Sequence, residues 1–276
     1  MSLRKAFVAG WPVAHSRSPL IHRYWLNRHG IEGDYVAEAV PPASIDAFLS
    51  GFGARGYVGG NVTLPYKEAA FRACRGATTV AERLGVANTL WLEEGALRCD
   101  NTDAYGFTAN LDEWAPDWRR GSNALVIGAG GASRAILHAL IEAGFGTILV
   151  LNRTLSRALA LAEHFGGPVR AGALEDLPRA LPHAHLVVNA TSAELDGETA
   201  LPIDWRIARA GAIATDLVYV PLMTPFLRAA AAQGLTSVDG LGMLLHQAVP
   251  GFERWFGIRP AVDMDLRRAV IADLER

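Results

Sequence analysis

Two kinds of hydrophobic pattern alternate along most of this chain. Short continuous apolar runs, for example residues 6–9, 124–127 and 186–189, precede longer segments in which apolar residues recur every three or four positions. The runs predict buried strands, and the longer segments predict amphipathic helices with one apolar face. Because strand and helix alternate in this way, the chain is expected to form an α/β fold built on parallel sheets.

The segment 123–134 carries the most distinctive of these transitions. An apolar strand ends in a turn that contains Gly128, Gly130 and Gly131, and an amphipathic helix begins at once. Glycines let a backbone approach a diphosphate closely, and the free N–H groups of a helix N-terminus favour an anion. The dinucleotide-binding pattern is incomplete, because its third glycine position is Ser133, so the pattern alone leaves a tight turn without a ligand open.

The end of the next strand distinguishes between two cofactors. A site for NAD needs an acidic residue there to bind the ribose hydroxyl, whereas a site for NADP needs arginine for the 2′-phosphate. Residues 147–151 are followed by Arg153 and Arg157 without an acidic residue, and Thr154 is the expected N-cap of the next helix. Arginines that are merely solvated are the alternative, but together with the glycine turn the pair predicts NADP.

A loop near the N-terminus brings two serines to the start of a helix. Ser18 followed by Pro19 predicts an N-cap and a first helical position, and Ser16 lies just before them. Hydroxyls and free backbone N–H groups at such a position suit a carboxylate. The simpler alternative is that Ser18 only caps the helix and Ser16 only supports the turn.

Three polar side chains gather where the strand at residues 57–63 runs into a helix. Asn61 and Thr63 end the strand, Pro65 fits the first turn of the helix, and Lys67 follows. Two hydrogen-bonding groups and an amine suit a polyhydroxylated ring. A capped helix with a solvated lysine is the alternative, because most lysines are exposed charges.

Two further segments place polar residues at element ends. Strands at residues 86–92 and 96–98 predict a hairpin, which leads to Asp103 at the start of a helix. Asp103 alone is typical of a cap, so its importance depends on whether it meets Lys67. Further along the chain, Gln247 belongs to a helix start from which it can reach into a cleft.

Length and composition narrow the class of protein. A chain of 276 residues is long enough for about two domains, and its formal net charge of −2 gives no field that favours nucleic acid or an anionic membrane. Its two cysteines, Cys74 and Cys99, have no metal or redox spacing, so a reducing compartment is expected. Neither a signal peptide nor a membrane span is expected, because the apolar runs are too short. These features predict a cytoplasmic protein whose partner is a small molecule.

Nine motifs follow one another along nearly the whole chain. They are residues 10–22 (GWPVAHSRSPLIH), 61–68 (NVTLPYKE), 87–89 (ANT), 100–103 (DNTD), 128–132 (GAGGA), 152–154 (NRT), 189–192 (NATS), 216–219 (DLVY) and 242–247 (GMLLHQ). In identity and order they resemble the shikimate dehydrogenase family. Each motif is weak alone, but nine in register make a specific signal.

The resemblance implies a two-domain α/β enzyme. Residues 1–104 and 240–276 would form a discontinuous substrate-binding and catalytic domain that C-terminal helices complete, and residues 105–239 a Rossmann domain that binds NADP. The family reduces 3-dehydroshikimate reversibly to shikimate with NADPH, a step in the biosynthesis of chorismate and the aromatic amino acids. The chain is therefore expected to be an NADP-dependent oxidoreductase that acts on a CH–OH group, without a metal.

The resemblance also implies roles for individual residues. Ser16 and Ser18 would hold the substrate carboxylate, and Tyr219 would lie against the substrate. The ring hydroxyls would be bound by Asn61, Thr63, Asn88, Asp103 and Gln247. The cofactor would be bound by Gly128, Ala129, Gly130, Gly131 and Ala132 at the diphosphate, by Asn152, Arg153, Thr154 and Arg157 at the 2′-phosphate, and by Leu217 and Gly240 near the nicotinamide.

The chemistry of the implied reaction selects two of these residues as catalytic. Reduction of a ketone needs a proton donor beside the developing oxyanion, and Lys67, which would also contact the substrate, is the candidate acid. Asp103 would hold the lysine and accept a hydrogen bond from the reacting hydroxyl. We therefore expect Lys67 and Asp103 to form the catalytic pair.

Two other functions remain open. A quinate/shikimate dehydrogenase that uses NAD is opposed by Arg153 and Arg157, but no residue excludes quinate. A sensor that binds NADP without catalysis is opposed by the presence of Lys67 and Asp103, which the fold alone does not require. The sequence also leaves open whether the protein is a monomer or a homodimer.

Overall fold

The computed structural model describes residues 3–191, 201 and 203–275, so Ser192, which ends the seventh motif, lies outside the described residues. The chain divides into two compact units. The first unit combines Met1–Asp103 with Leu245–Arg276, and the second is Ala104–Leu244. The first unit is therefore discontinuous in sequence.

Strands and helices are numbered separately along the chain. The strands are β1 (Arg4–Gly10), β2 (Gly33–Ala39), β3 (Tyr57–Val62), β4 (Gly76–Ala77), β5 (Thr89–Glu93), β6 (Ala96–Asp100), β7 (Asn123–Ile127), β8 (Thr147–Asn152), β9 (Val169–Ala173), β10 (Leu186–Asn189), β11 (Ile213–Asp216) and β12 (Thr236–Val238). The helices are α1 (Ser18–Arg28), α2 (Ile45–Gly51), α3 (Lys67–Ala73), α4 (Thr79–Leu84), α5 (Asp103–Trp114), α6 (Gly131–Glu142), α7 (Leu155–Phe165), α8 (Leu177–Ala180), α9 (Pro225–Ala231), α10 (Leu241–Phe256) and α11 (Met264–Leu274).

The sheet of the first unit is mixed, which corrects the expectation of parallel sheets throughout. Its order is β2-β1-β3-β5-β6-β4, and β5 runs antiparallel to both β3 and β6. The cause is the hairpin that the sequence predicts between β5 and β6. Its two turn residues, Glu94 and Gly95, have φ angles of 52° and 78°, and such a two-residue turn returns the chain at once.

The sheet of the second unit is parallel throughout its described strands, as expected. Its order is β12-β11-β10-β7-β8-β9, which is the dinucleotide-binding order with β7 as the first strand. The direction in which strands are added reverses between β7 and β10. In such sheets a ligand binds at the carboxyl ends of the strands beside this reversal, where the glycine turn follows β7.

Aromatic side chains pack both faces of the first sheet. On one face, the Phe7 ring meets Phe48 and Phe52 edge-on at centroid distances of 4.9 and 5.3 Å. On the other face, α10 contributes Trp255, whose indole N–H donates to the Leu90 carbonyl at 2.9 Å. The indole N–H of Trp25 in α1 donates to Ala261 at 3.0 Å, so the last segment of the chain completes the core of this unit.

The elements otherwise follow the hydrophobic pattern closely. Thr224 caps α9 by accepting from the Leu227 N–H at 3.2 Å, as the Thr-Pro pair predicts.

No helix in the described part of the chain combines the length and apolarity that crossing a membrane requires.

Candidate active site

Lys67 and Asp103 form an ion pair in the first unit. Lys67 is the first residue of α3, Asp103 is the first residue of α5, and Nζ of the lysine donates to Oδ2 of the aspartate. The two side chains are only 20% and 11% exposed. Pro65 was expected in the first turn of this helix, but α3 begins at Lys67. The residues before it form a turn in which the Tyr66 N–H donates to the Thr63 carbonyl at 2.8 Å.

Asn88 bonds the second oxygen of this carboxylate. Its Nδ2 donates to Oδ1 of Asp103 at 2.8 Å and also lies 3.4 Å from Oε1 of Gln247. Its Oδ1 accepts from the Thr89 hydroxyl at 2.8 Å and from the Thr102 N–H at 2.9 Å. Both oxygens of Asp103 are therefore fixed by protein groups before any substrate binds.

Asn61 extends the network away from the ion pair. Its Nδ2 donates to the Asn88 carbonyl at 3.0 Å and to the Thr89 hydroxyl at 3.1 Å. Its Oδ1 accepts from the Tyr35 hydroxyl at 2.6 Å. A continuous chain of hydrogen bonds thus runs through Tyr35, Asn61, Thr89, Asn88, Asp103 and Lys67. We call these six residues the polar chain.

Sequence reasoning missed Tyr35 and Thr89 as members of this site. Tyr35 is the third residue of β2 and reads as an ordinary strand position. Strand register explains how it reaches Asn61: Tyr35 pairs with Ala6, which pairs with Gly59, two residues before Asn61 on the same face of the sheet. Because Ala6 is small, the long tyrosine side chain can cross β1 at that position, while the space over Gly59 is occupied by the Trp255 indole. Thr89 is the last residue of the motif at residues 87–89, and that motif was the signal from which its place in the site could have been predicted.

The two serines do not behave as the N-cap interpretation expects. Helix α1 begins at Ser18 itself, Arg17 occupies the N-cap position, and no side chain caps the helix. Instead, Ser16 Oγ accepts from the Ser18 N–H at 3.3 Å. Ser18 is buried beside the Tyr35 hydroxyl. Thr63 is half-buried, and within the described chain its hydroxyl has no protein partner.

The glycine turn of the second unit is closed by a serine. Gly128 has φ 110°, and a Cβ there would lie 2.9 Å from the Ala190 carbonyl oxygen, so only glycine fits. The buried Ser133 hydroxyl donates to the Gly128 carbonyl at 2.9 Å and accepts from the Gly130 N–H at 3.2 Å. The residue that made the pattern incomplete therefore stabilises the turn by hydrogen bonding.

The start of α6 is open to a ligand. A Cβ added at Gly130 or Gly131 would meet nothing within 4 Å. In the described chain the N–H groups of Gly131 and Ala132 donate to no protein acceptor. Asn152 holds Ala129, the residue before Gly130, because its Oδ1 accepts from the Ala129 N–H at 3.2 Å. Open space beside free N–H groups fits a diphosphate.

Two exposed arginines follow the end of β8. Arg153 and Arg157 are exposed, and among the described residues neither guanidinium has an acidic partner. Thr154 occupies the N-cap position of α7, as expected, but its hydroxyl makes no capping bond. Both cations and this hydroxyl therefore keep their full hydrogen-bonding capacity, which fits a phosphate group.

Leu217 and Gly240 approach each other closely after the ends of β11 and β12. A Cβ at Gly240 would lie 2.5 Å from the Leu217 carbonyl oxygen. Tyr219, which the resemblance groups with the substrate residues, is half-buried in the second unit. The buried Asp216 holds this segment: it accepts from the Thr224 hydroxyl at 2.7 Å and the Val218 N–H at 3.0 Å.

Burial shifts the pKa of two aromatic side chains: Tyr35, which belongs to the polar chain, and His22, which packs against it. Burial lowers the pKa of His22 from 6.5 to about 3, and burial raises the pKa of Tyr35 well above its ordinary value. Their rings stack at 3.9 Å with an interplanar angle of 9°. Both side chains are therefore neutral at physiological pH.

Two other features of the described residues do not enter the candidate site. A groove of about 820 Å³ in the first unit, lined among others by Leu49, Phe52, Arg75 and Leu97, includes none of the site residues that the sequence predicts. In the described part of the chain, no cluster of three or more histidine, cysteine or acidic residues has a metal-binding arrangement.

Three family models match this chain. Residues 8–90 match the shikimate dehydrogenase substrate binding domain, residues 115–196 match shikimate/quinate 5-dehydrogenase, and residues 240–263 match the shikimate 5′-dehydrogenase C-terminal domain. Shikimate dehydrogenase (NADP(+)) of Azorhizobium caulinodans is 53% identical over 273 residues, which cover 99% of this chain and 97% of that protein. The chain belongs to the shikimate dehydrogenase family.

Solved structures of shikimate dehydrogenase family members have the same fold. A Thermus thermophilus shikimate 5-dehydrogenase in complex with NADP(H) and shikimate is 42% identical, with a TM-score of 0.85 over 97% of this chain and 100% of that one. A Corynebacterium glutamicum quinate dehydrogenase in complex with NAD is 27% identical, with a TM-score of 0.90 over 98% and 99% of the two chains. Similarity to both kinds of dehydrogenase shows the two-domain α/β fold with a Rossmann domain.

Proposed function

We propose that this protein is an NADP-dependent shikimate dehydrogenase. It catalyses the reversible NADPH-dependent reduction of 3-dehydroshikimate to shikimate, a step in the biosynthesis of chorismate and the aromatic amino acids. The observation that carries the proposal is the part-buried Lys67–Asp103 pair at one end of the polar chain. A family fold that had lost catalysis would not need to bury this pair among so many hydrogen bonds.

Lys67 is proposed to act on the oxygen of the reacting carbonyl. As that oxygen gains negative charge, the ammonium group stabilises it electrostatically and then donates a proton to it. Asp103 holds the lysine through Oδ2, and Asn88 fixes the other carboxylate oxygen at 2.8 Å. In the oxidation direction, the neutral amine of Lys67 accepts the proton from the substrate hydroxyl and becomes the ammonium group, while Asp103 orients that hydroxyl.

The remaining polar groups of the first unit are proposed to hold the substrate. Ser16 and Ser18 bind the carboxylate, and the ring hydroxyls are bound by Asn61, Thr63, Asn88 and Gln247. The structural support for these roles differs from residue to residue. The Thr63 hydroxyl has no hydrogen-bond partner within the described chain, whereas Asn61 and Asn88 are buried and already hydrogen-bonded within the polar chain. Tyr219 of the second unit is proposed to lie against the substrate.

The second unit is proposed to bind the cofactor, which supplies the hydride when bound. The free N–H groups at the start of α6 hold the diphosphate, between Gly128 and Ala132. The exposed Arg153 and Arg157, with Thr154 and Asn152, surround the 2′-phosphate. Leu217 and Gly240 pack beside the nicotinamide, where their close approach leaves no room for a larger residue at position 240.

The decisive experiment measures initial rates with purified protein for four combinations of shikimate or quinate with NADP+ or NAD+. The proposal expects shikimate with NADP+ to give the highest kcat/KM. Binding of NADPH without shikimate-dependent reduction of NADP+ at any pH would instead identify a cofactor-binding sensor.

A second candidate is an NAD-dependent quinate/shikimate dehydrogenase. The similarity to a quinate dehydrogenase crystallised with NAD favours it. The two arginines after β8, which have no acidic partner among the described residues, oppose it, because NAD has no 2′-phosphate for them to bind. The same four rates separate the two candidates, since this one expects activity with quinate and NAD+.

We also infer a cytoplasmic location and a small-molecule substrate without a nucleic-acid partner. The formal net charge of −2 supports this, because it provides no strong field for polyanions. Monomer and homodimer are both compatible with the proposed chemistry.

A further inference from the structure

We propose that Tyr35 is a positioning residue for substrate recognition, which acts through Asn61 and Ser18. This inference rests on the proposed function, since it concerns the same substrate site. Tyr35 is fully buried in β2, and its hydroxyl donates to Oδ1 of Asn61 at 2.6 Å. It is the one member of the polar chain that belongs to neither the catalytic pair nor a motif shared with the family.

The orientation of the Asn61 amide follows from its partners. The Asn88 carbonyl oxygen can only accept, so the nitrogen of Asn61 must face it, and their distance is 3.0 Å. The second N–H of Asn61 donates to the Thr89 hydroxyl at 3.1 Å. The carbonyl oxygen of Asn61 therefore faces Tyr35, whose single hydroxyl proton completes the arrangement.

This arrangement determines what Asn61 can offer a ligand. Both of its amide hydrogens are used by the protein, and Oδ1 has one further lone pair. Asn61 is therefore an acceptor only, and it recognises a substrate hydroxyl that donates. Without the Tyr35 hydroxyl, the buried Oδ1 loses its donor, and the amide is free to move from this orientation.

Tyr35 also links the two ends of the substrate site. Ser18, the first residue of α1, lies beside the phenol oxygen, while Asn61 bonds it from β3. The proposed carboxylate ligand and a proposed ring-hydroxyl ligand thus meet at one buried group. The ring itself is held by stacking on His22 at 3.9 Å. Neither nitrogen of His22 has a hydrogen-bond partner in the described structure, so the hydroxyl supplies the directional contact.

A double-mutant cycle on the full-length protein tests this inference. In Tyr35→Phe, we expect the KM for shikimate to rise about tenfold, corresponding to one buried hydrogen bond, while kcat changes less than about threefold. The KM for NADP+ should not change. In the Asn61→Ala background, Tyr35→Phe should raise the KM for shikimate by clearly less than in the wild type, because the part of its effect that passes through Asn61 is already lost.

Tyr57→Phe is the matched control. Tyr57 lies on β3, the strand that carries Asn61, and its hydroxyl donates to Glu38 outside the polar chain. This variant should retain the wild-type KM for shikimate. Equal effects of the two tyrosine variants, or additive effects in the cycle, would overturn the inference. An inactive wild-type protein would instead overturn the proposed function.

A second measurement covers the case in which Tyr35→Phe fails to fold. Shikimate analogues in which one ring hydroxyl is replaced by hydrogen or by fluorine are tested for binding to the wild type and to Asn61→Ala. At the ring position that Asn61 contacts, fluorine should bind no better than hydrogen, because an acceptor cannot satisfy an acceptor. Restoration of binding by fluorine there, lost in Asn61→Ala, would show that Asn61 donates and would contradict the inference.

Discussion

The two candidate sites of this protein are built in opposite ways. In the first unit, Asn61, Asn88 and Asp103 are buried and hydrogen-bonded to other protein groups. In the second unit, Arg153 and Arg157 are exposed, and no acidic group in the described chain pairs with them. The catalytic pair and its neighbours are thus paired within the protein before a ligand binds, whereas the second site presents groups without a partner in the described chain.

This difference matches the two tasks that we propose. Proton transfer benefits from charges that are already fixed, because they need no reorganisation during the reaction. Binding of a 2′-phosphate benefits from exposed guanidinium groups, because the ligand supplies the opposite charge and the acceptors. The comparison therefore predicts that variants of the first unit affect turnover or substrate affinity, and variants of the second affect cofactor affinity.

The largest expected effect concerns Lys67. Lys67→Ala removes the proton donor and should lower kcat about a thousandfold, with a smaller change in the KM for shikimate. The sequence contains one other lysine, Lys5, which is exposed on β1 and provides the matched control. Lys5→Ala should retain wild-type rates in the same assay of NADP+ reduction. Near-normal turnover of Lys67→Ala would remove the lysine from the mechanism.

The next effect concerns the two arginines after β8. Arg153→Ala and Arg157→Ala should each raise the KM for NADP+ about tenfold, because each removes a charged hydrogen bond to phosphate. The KM for NAD+ should stay the same. Arg170→Ala is the control, since Arg170 is exposed in the same unit and donates to the Gly167 and Val169 carbonyls. An equal loss for NAD+ and NADP+ would show that the arginines do not read the 2′-phosphate.

A third prediction concerns the buried histidine beside the polar chain. The pKa of His22 is about 3 in the folded protein and 6.5 in the unfolded chain. Below pH 6.5 the unfolded chain therefore binds a proton that the folded protein does not, so this contribution destabilises the fold as the pH falls towards 3. Between pH 7 and pH 5 the loss amounts to about 2 kcal/mol.

Urea unfolding at both pH values measures this loss in the free energy of unfolding. His22→Phe should remove it, because phenylalanine keeps a ring against Tyr35 and does not titrate. His15→Asn, an exposed position, should behave as the wild type does. The same acid sensitivity in His22→Phe would assign the effect to other groups.

The smallest expected effect concerns the glycine turn. Ser133→Ala removes the hydroxyl that bonds the Gly128 carbonyl and the Gly130 N–H, and should lower the free energy of unfolding by about 1 kcal/mol. Because the turn holds the diphosphate, the KM for NADP+ should rise a few-fold while the KM for shikimate does not change. A change in the shikimate KM alone would contradict the division between the two units.

Local sequence patterns predicted the second unit well. Its central strands β7, β8 and β10 contain continuous apolar runs, and its glycine turn is contiguous in sequence, so periodicity and turn chemistry contain most of the information. The role of Ser133 was not visible, because the pattern describes glycines and not the hydroxyl that replaces one of them. In the first unit the β5–β6 hairpin was predicted, but the antiparallel pairing of β5 with β3 was not, because alternation of strand and helix does not reveal which strands from distant segments pair.

The polar chain illustrates what a sequence pattern omits. Lys67 and Asp103 were expected from their motifs, and the structure brings them together. Tyr35 was not expected, because its contact with Asn61 depends on strand register and on the small Ala6 of the strand between them. Contacts across a sheet are set by long-range packing, which periodicity within one segment cannot describe.

The most direct test of the account measures NADPH affinity and turnover in the same Lys67→Ala preparation. The account predicts that cofactor fluorescence titration gives the wild-type Kd, because the cofactor groups belong to the second unit, while shikimate-dependent NADP+ reduction falls about a thousandfold. Wild-type turnover, or loss of cofactor affinity together with turnover, would contradict the assignment of chemistry to the first unit and cofactor binding to the second.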